Sequence, residues 1–168
     1  DLMFGQGGAD LLTDVSGSNI MIGDLATVTF FDPSAAPTGG NAVDRVQTLT
    51  TIRDDIAFDD VIVGGSGRDL AVAGLGDDTI TGNGGQDLLF GDTIEMERAY
   101  TINTSINSWV ESISVRTTLT GAGGNDLIIS GAEGDFVIAD RGANYFETDF
   151  ERNFVATSSA TFVATGFM

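Results

Sequence analysis

The sequence DVIVGGSGRDLAVAGLGDDTITGNGGQDLLFGD, at residues 60–92, is built from units of nine residues. Three complete units begin at Gly64, Ala73 and Gly82, and they read GGSGRDLAV, AGLGDDTIT and GNGGQDLLF. Glycine and aspartate dominate the first six places of a unit, and the last three places are apolar or β-branched. An aspartate holds the sixth place in every unit, namely Asp69, Asp78 and Asp87. The spacing predicts a tight turn followed by a short strand, repeated along the chain.

The two parts of each nonamer have different conformational roles. Glycine adopts positive φ without a Cβ clash, so a glycine-rich turn can bend sharply and direct its carbonyl oxygens toward one point. The three residues that follow form one short strand whose middle side chain faces away from its neighbours. Two nonamers complete one coil, so strand n is expected to pair in parallel with strand n+2. The expected core is the column of place-eight side chains: Ile62, Ala71, Ile80 and Leu89.

Residues 64–90 closely resemble the GGxGxDxUx pattern of the RTX (repeats-in-toxin, hemolysin-type) calcium-binding nonapeptide family. The resemblance implies an all-β fold, a parallel β-roll or β-solenoid, in a secreted bacterial protein exported by type I secretion. It also implies calcium held between stacked turns by place-six aspartates and by carbonyls of the glycine turns. The ligand chemistry agrees, because Ca²⁺ takes six to eight oxygen ligands and this stretch offers only oxygens.

The composition of the chain narrows its function. The 168 residues include 25 acidic residues, seven arginines and no lysine, histidine or cysteine, for a net charge of −18. Such acidity argues against a nucleic-acid partner. Without histidine or cysteine the chain cannot build a Ser-His-Asp or Cys-His nucleophile or an ordinary zinc site, and we expect no enzyme activity. No apolar run reaches membrane length, so membrane insertion is not expected either.

The same register occurs before and after the central stretch. A first block at 1–24 contains GQGGADLLT, with Asp10 at place six, and the degenerate unit DVSGSNIMI, with Asn19 there. A second block spans 60–92. A third block, 117–140, is expected to resume the coil with TTLT at 117–120, followed by GAGGNDLII with Asp126 and SGAEGDFVI with Asp135. We expect the Asn19 site to be weak or empty.

Insertions separate the blocks at 25–59 and 93–116, and we expect a third, truncated insertion at 141–168. The first two read as β-hairpins standing off the coil, with strands at 25–31, 43–52, 99–102 and 109–115, and 145–150 and 154–163 read as further strand pieces. Successive blocks begin 59 and 57 residues apart. This long period favours a tandem array with neighbouring repeats or identical subunits as partners.

Six place-six aspartates in register favour calcium ligands over ordinary turn residues. If each insertion counts as one turn, Asn19, Asp69, Asp87 and Asp126 share one side of the coil. The best sites are then expected between the Asp69 and Asp87 turns and between the Asp87 and Asp126 turns. The full set of expected ligands is Asp10, Asn19, Asp24, Asp60, Asp69, Asp78, Asp87, Asp92, Asp126, Asp135, Gly64, Gly65, Gly67, Gly82, Gly84, Gly85, Gly121 and Gly123.

These features indicate a calcium-binding structural segment of a large extracellular or cell-surface protein, of adhesin, surface-layer or filament type. The segment would fold on binding several Ca²⁺ ions after export. One alternative is the calcium-binding tail of a secreted protease or lipase. Another, a lectin-like or ice-binding surface, would need a flat face of threonines or aromatics. Seven aromatic residues lie in the insertions and are expected to cover the ends of the roll or to form contacts between blocks: Phe30, Phe31, Tyr100, Trp109, Tyr145, Phe146 and Phe150.

Overall fold

The computed structural model describes residues 1–32, 41–52, 56–104, 108–118, 123–139, 142–148, 154–156 and 162–167. This part of the chain is all-β, as expected, apart from a short 3₁₀ helix at Val43–Arg45. Its strands, in chain order, are β1 (Leu2–Phe4), β2 (Leu11–Thr13), β3 (Ile20–Ile22), β4 (Ala26–Phe30), β5 (Val46–Thr51), β6 (Val61–Val63), β7 (Leu70–Val72), β8 (Thr79–Thr81), β9 (Leu88–Phe90), β10 (Ile94–Asn103), β11 (Ser108–Thr117), β12 (Leu127–Gly131), β13 (Phe136–Ile138), β14 (Tyr145–Thr148), β15 (Phe154–Ala156) and β16 (Phe162–Phe167). None of the described residues forms a helix long and apolar enough to cross a membrane.

Eleven of these strands form two parallel sheets, which the chain visits in strict alternation. The first parallel sheet has the order β1-β3-β7-β9-β13-β15, and the second has the order β2-β6-β8-β12-β14. Neighbours in each sheet are therefore two parallel strands apart in the sequence. The pairing is in register, with Ile62 opposite Ile80 and Ala71 opposite Leu89. The expected pairing of strand n with strand n+2 is observed.

In the parallel strands from β1 to β14, the middle residue, or the second residue of the longer strands, points into the space between the two parallel sheets. The four place-eight residues expected in the core are all buried there, with exposures of 0–1%. Met21, Ile128 and Val137 extend the same cluster in both directions. One apolar side chain per turn thus fills a narrow interior, which confirms the predicted core.

A third, antiparallel sheet is formed by the insertions, in the order β16-β11-β10-β5-β4. Both predicted hairpins are present, β4 with β5 and β10 with β11. They do not stand off the coil, because the antiparallel sheet packs on the outer face of the first parallel sheet and forms a second core. That core includes Leu88 and Phe90 from the coil and Leu49, Met96 and Val115 from the hairpins.

The sequence of the outer strand positions explains why only one parallel sheet is covered. In the first sheet these positions carry apolar residues such as Ile20, Ile22 and Val72, which are fully buried. In the second sheet they include Thr79 and Thr81, which are only half-buried. A sheet with apolar residues on both faces must be covered on both, whereas one with a polar outer face can meet water. Of the aromatic residues in the predicted insertions, Phe30 and Tyr100 lie in this covering sheet, whereas Tyr145 and Phe146 lie in β14 of the second parallel sheet.

The insertions keep a fixed spacing along the parallel sheets. Each leaves after a strand of the first parallel sheet, at β3 and at β9, and four parallel strands separate them. Those four are β6, β7, β8 and β9, two in each parallel sheet. Each hairpin also adds two strands to the covering sheet. Since neighbouring strands lie about 4.8 Å apart, all three sheets advance by about 9.6 Å per block.

The structure corrects the expected course of the chain after the second insertion. Thr117 ends β11, paired with Ile94, rather than opening a strand of the coil. Residues 119–122 lie outside the described part, and the parallel sheets resume at β12. This moves Asp126 and Asp135 one turn earlier than expected, so β8 pairs with β12 and β9 with β13. The strand pieces expected in a third insertion, β14 and β15, extend the parallel sheets instead, and β16 joins the covering sheet beside β11.

We expect Ile80→Ala to destabilise the calcium-bound protein by about 2–5 kcal/mol, because it empties one rung of the narrow core. Val15→Ala is the matched control, since Val15 is 87% exposed. Denaturant unfolding in excess calcium measures both, and the control should change stability by less than about 0.5 kcal/mol. Equal effects of the two substitutions would contradict the place-eight core.

Candidate metal centre

The place-six residues line two columns, one at the entrance to each parallel sheet. Column one, which enters the first parallel sheet, contains Asn19, Asp69, Asp87 and Asp135. Column two, which enters the second, contains Asp10, Asp60, Asp78, Asp126 and Asn144. All except Asn144 and Asp10 are at most 3% exposed. The sequence therefore places one buried carboxylate or amide at the same height in nearly every turn.

In each column, one side-chain oxygen of an aspartate, Oδ1, accepts a hydrogen bond from the backbone N–H of the place-six residue in the preceding turn. The amide N–H of Asp69 donates to Asp87 Oδ1 at 2.8 Å, and that of Asn19 donates to Asp69 Oδ1 at 2.7 Å. In column two the N–H of Asp60 donates to Asp78 Oδ1 at 2.7 Å, and that of Asp78 donates to Asp126 Oδ1 at 3.1 Å. These bonds fix the orientation of each carboxylate, so its other oxygen must point elsewhere.

In turns that begin with glycine, the second oxygen, Oδ2, lies close to that glycine and to a carbonyl of the next turn in the same column. A Cβ added at Gly64 would lie 2.5 Å from Asp69 Oδ2 and 2.8 Å from the Gly82 carbonyl oxygen. A Cβ at Gly82 would lie 2.5 Å from Asp87 Oδ2 and 2.3 Å from the carbonyl oxygen of Ser130. Glycine at these positions thus leaves a small space where a carboxylate oxygen and a carbonyl oxygen converge.

The same arrangement occurs in column two. A Cβ at Gly5 would lie 2.7 Å from Asp10 Oδ2 and 2.6 Å from the carbonyl oxygen of Gly23. At Gly23 it would come within 2.1 Å of Asp60 Oδ2 and 2.5 Å of the Ala73 carbonyl oxygen. Several of these oxygens are buried without a hydrogen-bond donor: the Oδ2 atoms of Asp10, Asp60, Asp78, Asp87 and Asp126. Buried oxygens that face each other without a donor need a proton or a cation between them.

Comparison with known protein families identifies the repeats in two segments of the chain. Residues 57–89 and 117–150 match the RTX calcium-binding nonapeptide repeat, in four copies. These segments are RTX repeats. RTX nonapeptides bind Ca²⁺, and multiple repeats provide several sites. No curated protein and no solved structure matches the chain.

The donor set of these RTX repeats fits calcium. Among the described residues no three acidic side chains converge on one point, so carboxylates alone could not surround an ion. Backbone carbonyls, which the glycine turns bring to the same spaces, are further oxygen atoms available to an ion there. Ca²⁺ accepts such mixed oxygen sets at flexible geometry, whereas Mg²⁺ demands a tighter octahedron.

Burial changes the acid–base behaviour of the columns. It is the main cause that raises the pKa of Asp78 and Asp87 to about 8, and that of Asp126 to about 6. Neighbouring carboxylates of the same column add to the shift at Asp78 and Asp87. Burial also raises the pKa of Asp60 and Asp69. Without a cation these carboxylates are hard to ionise in the folded chain.

The structure pairs some of the predicted site residues differently. Asp69 and Asp87 are neighbours, as expected, but the predicted neighbourhood of Asp87 and Asp126 is wrong. The N–H of Asp87 donates to Asp135 Oδ1 at 3.0 Å, so Asp135 follows Asp87 in column one. Asp126 follows Asp78, because the second insertion and GAGGNDLII together form one turn rather than two.

The predicted glycines have two kinds of position. Gly64 and Gly82 form the spaces beside the carboxylates, whereas Gly65, Gly67 and Gly85 lie against the neighbouring turn. A Cβ at Gly67 would lie 2.7 Å from the Gly17 carbonyl oxygen, and one at Gly85 would lie 2.3 Å from the Gly67 carbonyl oxygen. Gly84 donates its N–H to the Gly65 carbonyl at 3.3 Å. Gly123 is half-buried, and Gly121 lies outside the described residues.

Buried carboxylates also lie at the residues that directly precede the two insertions, Asp24 and Asp92. Asp24 is 3% exposed and its Oδ2 accepts the Leu75 N–H at 2.8 Å, beside Gly74. Asp92, at the second entry, is 1% exposed. Their role as calcium ligands stays a prediction. Asn19 joins column one, and its Oδ1 accepts a hydrogen bond from the Asp1 nitrogen at 3.0 Å. Because its side chain is a neutral amide, this rung adds no negative charge for an ion.

Sequence reasoning missed Asn144, which extends column two. Its Oδ1 accepts the N–H of Asp126 at 2.7 Å, and its Nδ2 donates to the Ala139 carbonyl at 2.7 Å. The signal was present, because ADRGANYFE at 139–147 is a degenerate nonamer with asparagine at place six. An outer ladder was missed as well, in which the N–H of Asp77 donates to Asp59 Oδ1 at 3.0 Å and that of Asn125 to Asp77 Oδ1 at 2.8 Å.

We expect Gly64→Ala to weaken one calcium site by about tenfold or more, because its methyl group would fill the space that Asp69 Oδ2 and the Gly82 carbonyl share. Gly7→Ala is the control, since an added Cβ there meets nothing within 4 Å. Calorimetric calcium titrations of both variants make the comparison. Identical isotherms would place the site elsewhere.

In the absence of calcium we expect the folded chain to become less stable as pH rises. The pKa of Asp78 and Asp87 is raised from 3.8 to about 8 by folding, so the folded chain keeps protons that the unfolded chain loses. Stability from this source is present at low pH and is lost between about pH 4 and pH 8. Circular dichroism in metal-free buffer should show more β-structure at pH 5 than at pH 8.

Calcium should reverse this trend, because it binds the ionised carboxylates and displaces their protons. The calcium-bound chain is therefore the internal control for the pH series, and its stability should rise over the same range. A metal-free chain that also gains β-structure as pH rises would contradict the buried, protonated columns.

Proposed function

We propose that this chain is a structural segment of a large extracellular repeat protein of adhesin, surface-layer or filament type. The two parallel sheets would form a calcium-loaded β-roll that folds after export. The Oδ2 atoms of the place-six aspartates and the carbonyls of the first residues of following turns would supply the calcium ligands. The blocks at 1–24, 60–92 and 117–140 would be successive units of the array.

The observation that carries this proposal is that all three sheets lengthen by the same distance with each block. Four parallel strands separate the two insertions, two in each parallel sheet, and each insertion adds two strands to the covering sheet. After four more parallel strands, β16 pairs with β11 and continues that sheet. A pattern in which every layer grows by the same distance can be repeated without a seam, which is the property of an extended array.

The exposed apolar face of β1 supports contact with an insertion of a neighbouring block or of an identical subunit. Leu2 and Phe4, on the outer face of the first parallel sheet, are 47% and 37% exposed. The residues at the same places in the next strand of that sheet, Ile20 and Ile22, are fully buried under the covering sheet. An insertion from an adjoining block or from an identical subunit would bury Leu2 and Phe4 in the same way.

Charge supports folding that depends on calcium. The net charge of −18 and the buried columns oppose the compact state until cations enter. RTX repeats are typical of secreted bacterial proteins. Extracellular calcium modules usually bind with dissociation constants of about 10⁻⁴–10⁻³ M, far above cytosolic calcium. The chain would then stay unfolded inside the cell and fold outside it.

Circular dichroism during a calcium titration tests the proposal. We expect a coil-to-β transition with a midpoint between about 0.1 and 1 mM calcium, because several weak sites must fill together. Magnesium at the same concentration is the control and should leave the chain unfolded. Growth of light scattering after folding would support assembly of identical subunits. A chain that is fully folded in chelator and ignores calcium would rule out calcium-driven folding.

A further inference from the structure

Arg68 links an RTX turn to both insertions. It precedes Asp69 in the turn before β7, and its side chain leaves the coil toward the covering sheet. Its Nη1 lies 2.6 Å from Asp44 Oδ1, in the 3₁₀ helix of the first insertion. Its Nη2 lies 3.4 Å from Glu111 Oε2, in β11 of the second insertion. One side chain therefore joins three segments that are distant in sequence.

A buried network stands behind these two ion pairs. Arg98 is fully buried in β10, and its Nε lies 2.9 Å from Glu111 Oε1. Its Nη1 donates to the carbonyls of Val43 and Val46, which flank Asp44 and Arg45. The Tyr100 hydroxyl donates to the Asp44 carbonyl at 2.7 Å. The carboxylates that hold Arg68 are thus themselves held by the hairpins.

The other end of Arg68 is fixed in the coil. Gly85 of the following turn approaches so closely that an added Cβ would lie 2.9 Å from the Arg68 backbone nitrogen. The next residue, Asp69, directs Oδ1 to the Asn19 N–H and Oδ2 to the Gly65 N–H, at 2.7 and 2.8 Å. A shift of Arg68 would therefore move the carboxylate that faces the Gly82 carbonyl.

We propose that Arg68 is a positioning residue for the calcium site formed by Asp69 and the Gly82 carbonyl, and that its pairing with Asp44 and Glu111 makes the affinity of this site depend on the docked insertions. This inference rests on the proposed ligand role of Asp69. Because coupling between two binding events is reciprocal, calcium at this site also strengthens the docking of the covering sheet on the coil.

The charges of the network support a positioning role. Two arginines and two acids balance, and all four side chains are at most 20% exposed. Removal of the Asp44 charge leaves Arg68 with only the 3.4 Å contact to Glu111, which Arg98 already shares. The turn then loses its closest anchor although none of its own residues has changed.

The test is a calorimetric calcium titration of the Asp44→Asn variant. Because Asp44 lies in the first insertion, this substitution changes no residue of a nonamer. We expect one calcium site to weaken by about five- to tenfold and the others to keep their affinity, because only the Asp69 turn loses its anchor. Arg68→Met should weaken the same site, and adding Asp44→Asn to it should cause no further loss. Arg68→Lys, which keeps the charge but not the fork of two donors, should recover part of the affinity.

Glu95→Gln is the matched control. Glu95 pairs with Arg116 in the same covering sheet, but both side chains are exposed, at 41% and 65%. The control isotherm should equal that of the original chain. If Asp44→Asn lowers the melting temperature of the calcium-bound chain while its calcium isotherm is unchanged, the ion pair is only structural and the inference is overturned.

The failure of this inference differs from the failure of the proposed function. An original chain that binds no calcium would sink both, whereas one that binds calcium with the same isotherm as Asp44→Asn would sink only the role of Arg68. If Asp44→Asn does not fold at any calcium concentration, the calcium titration of Arg68→Lys is the deciding measurement. The inference is overturned if every calcium site of Arg68→Lys keeps the affinity that it has in the original chain.

Discussion

The packing of acidic turns on one another is the constraint on which this fold depends. Parallel pairing in register brings the place-six carboxylates of every second turn into one column, away from water. Oδ1 of most of these carboxylates accepts a backbone N–H, and Oδ2 is left close to a carbonyl oxygen. A divalent cation between the two oxygens would bind both and balance the charge, which is the ligand arrangement that we propose. The contacts that build the coil would in this way also make its folding depend on calcium.

A coil of three-residue strands has a small interior, and the insertions compensate for this. Among the described residues, the place-eight side chains, such as Ile62 and Leu89, fill most of the space between the parallel sheets, with two small additions from Ala73 and Ala139. The covering sheet adds a second core on the outer face of the first parallel sheet, with Leu49, Met96 and Val115. Because the chain alternates between the sheets, an insertion reaches this face only if it leaves after a strand of the first sheet. Both insertions do.

The contact between coil and covering sheet is both apolar and ionic. The apolar part supplies buried area but little specificity, because apolar side chains of similar volume can replace one another at little cost in stability. The network of Arg68, Arg98, Asp44 and Glu111 is directional and partly buried, so it favours one relative position of the two layers. Calcium in the coil and order in the insertions can in this way influence each other through a defined set of side chains.

The sequence by itself determined the local design. Its nine-residue period placed Asp69, Asp78 and Asp87 at equivalent positions, and its glycines and apolar triplets predicted turns, strands and the place-eight core. The oxygen-only ligand set predicted calcium. These features are readable because each depends on residues within one turn and on a stacking rule that applies to every turn.

Tertiary structure decided what depends on distant contacts. The pairing of Ile94 with Thr117 fixed where the second hairpin ends, and with it the order of Asp126 and Asp135 in their columns. The choice of the covered face and the meeting of Arg68 with Asp44 and Glu111 also required the whole fold. A nonamer specifies its own turn, but the length of an insertion is set by how far its two strands pair. The length of this pairing depends on contacts between two strands that are distant in sequence, so it cannot be predicted from any single repeat.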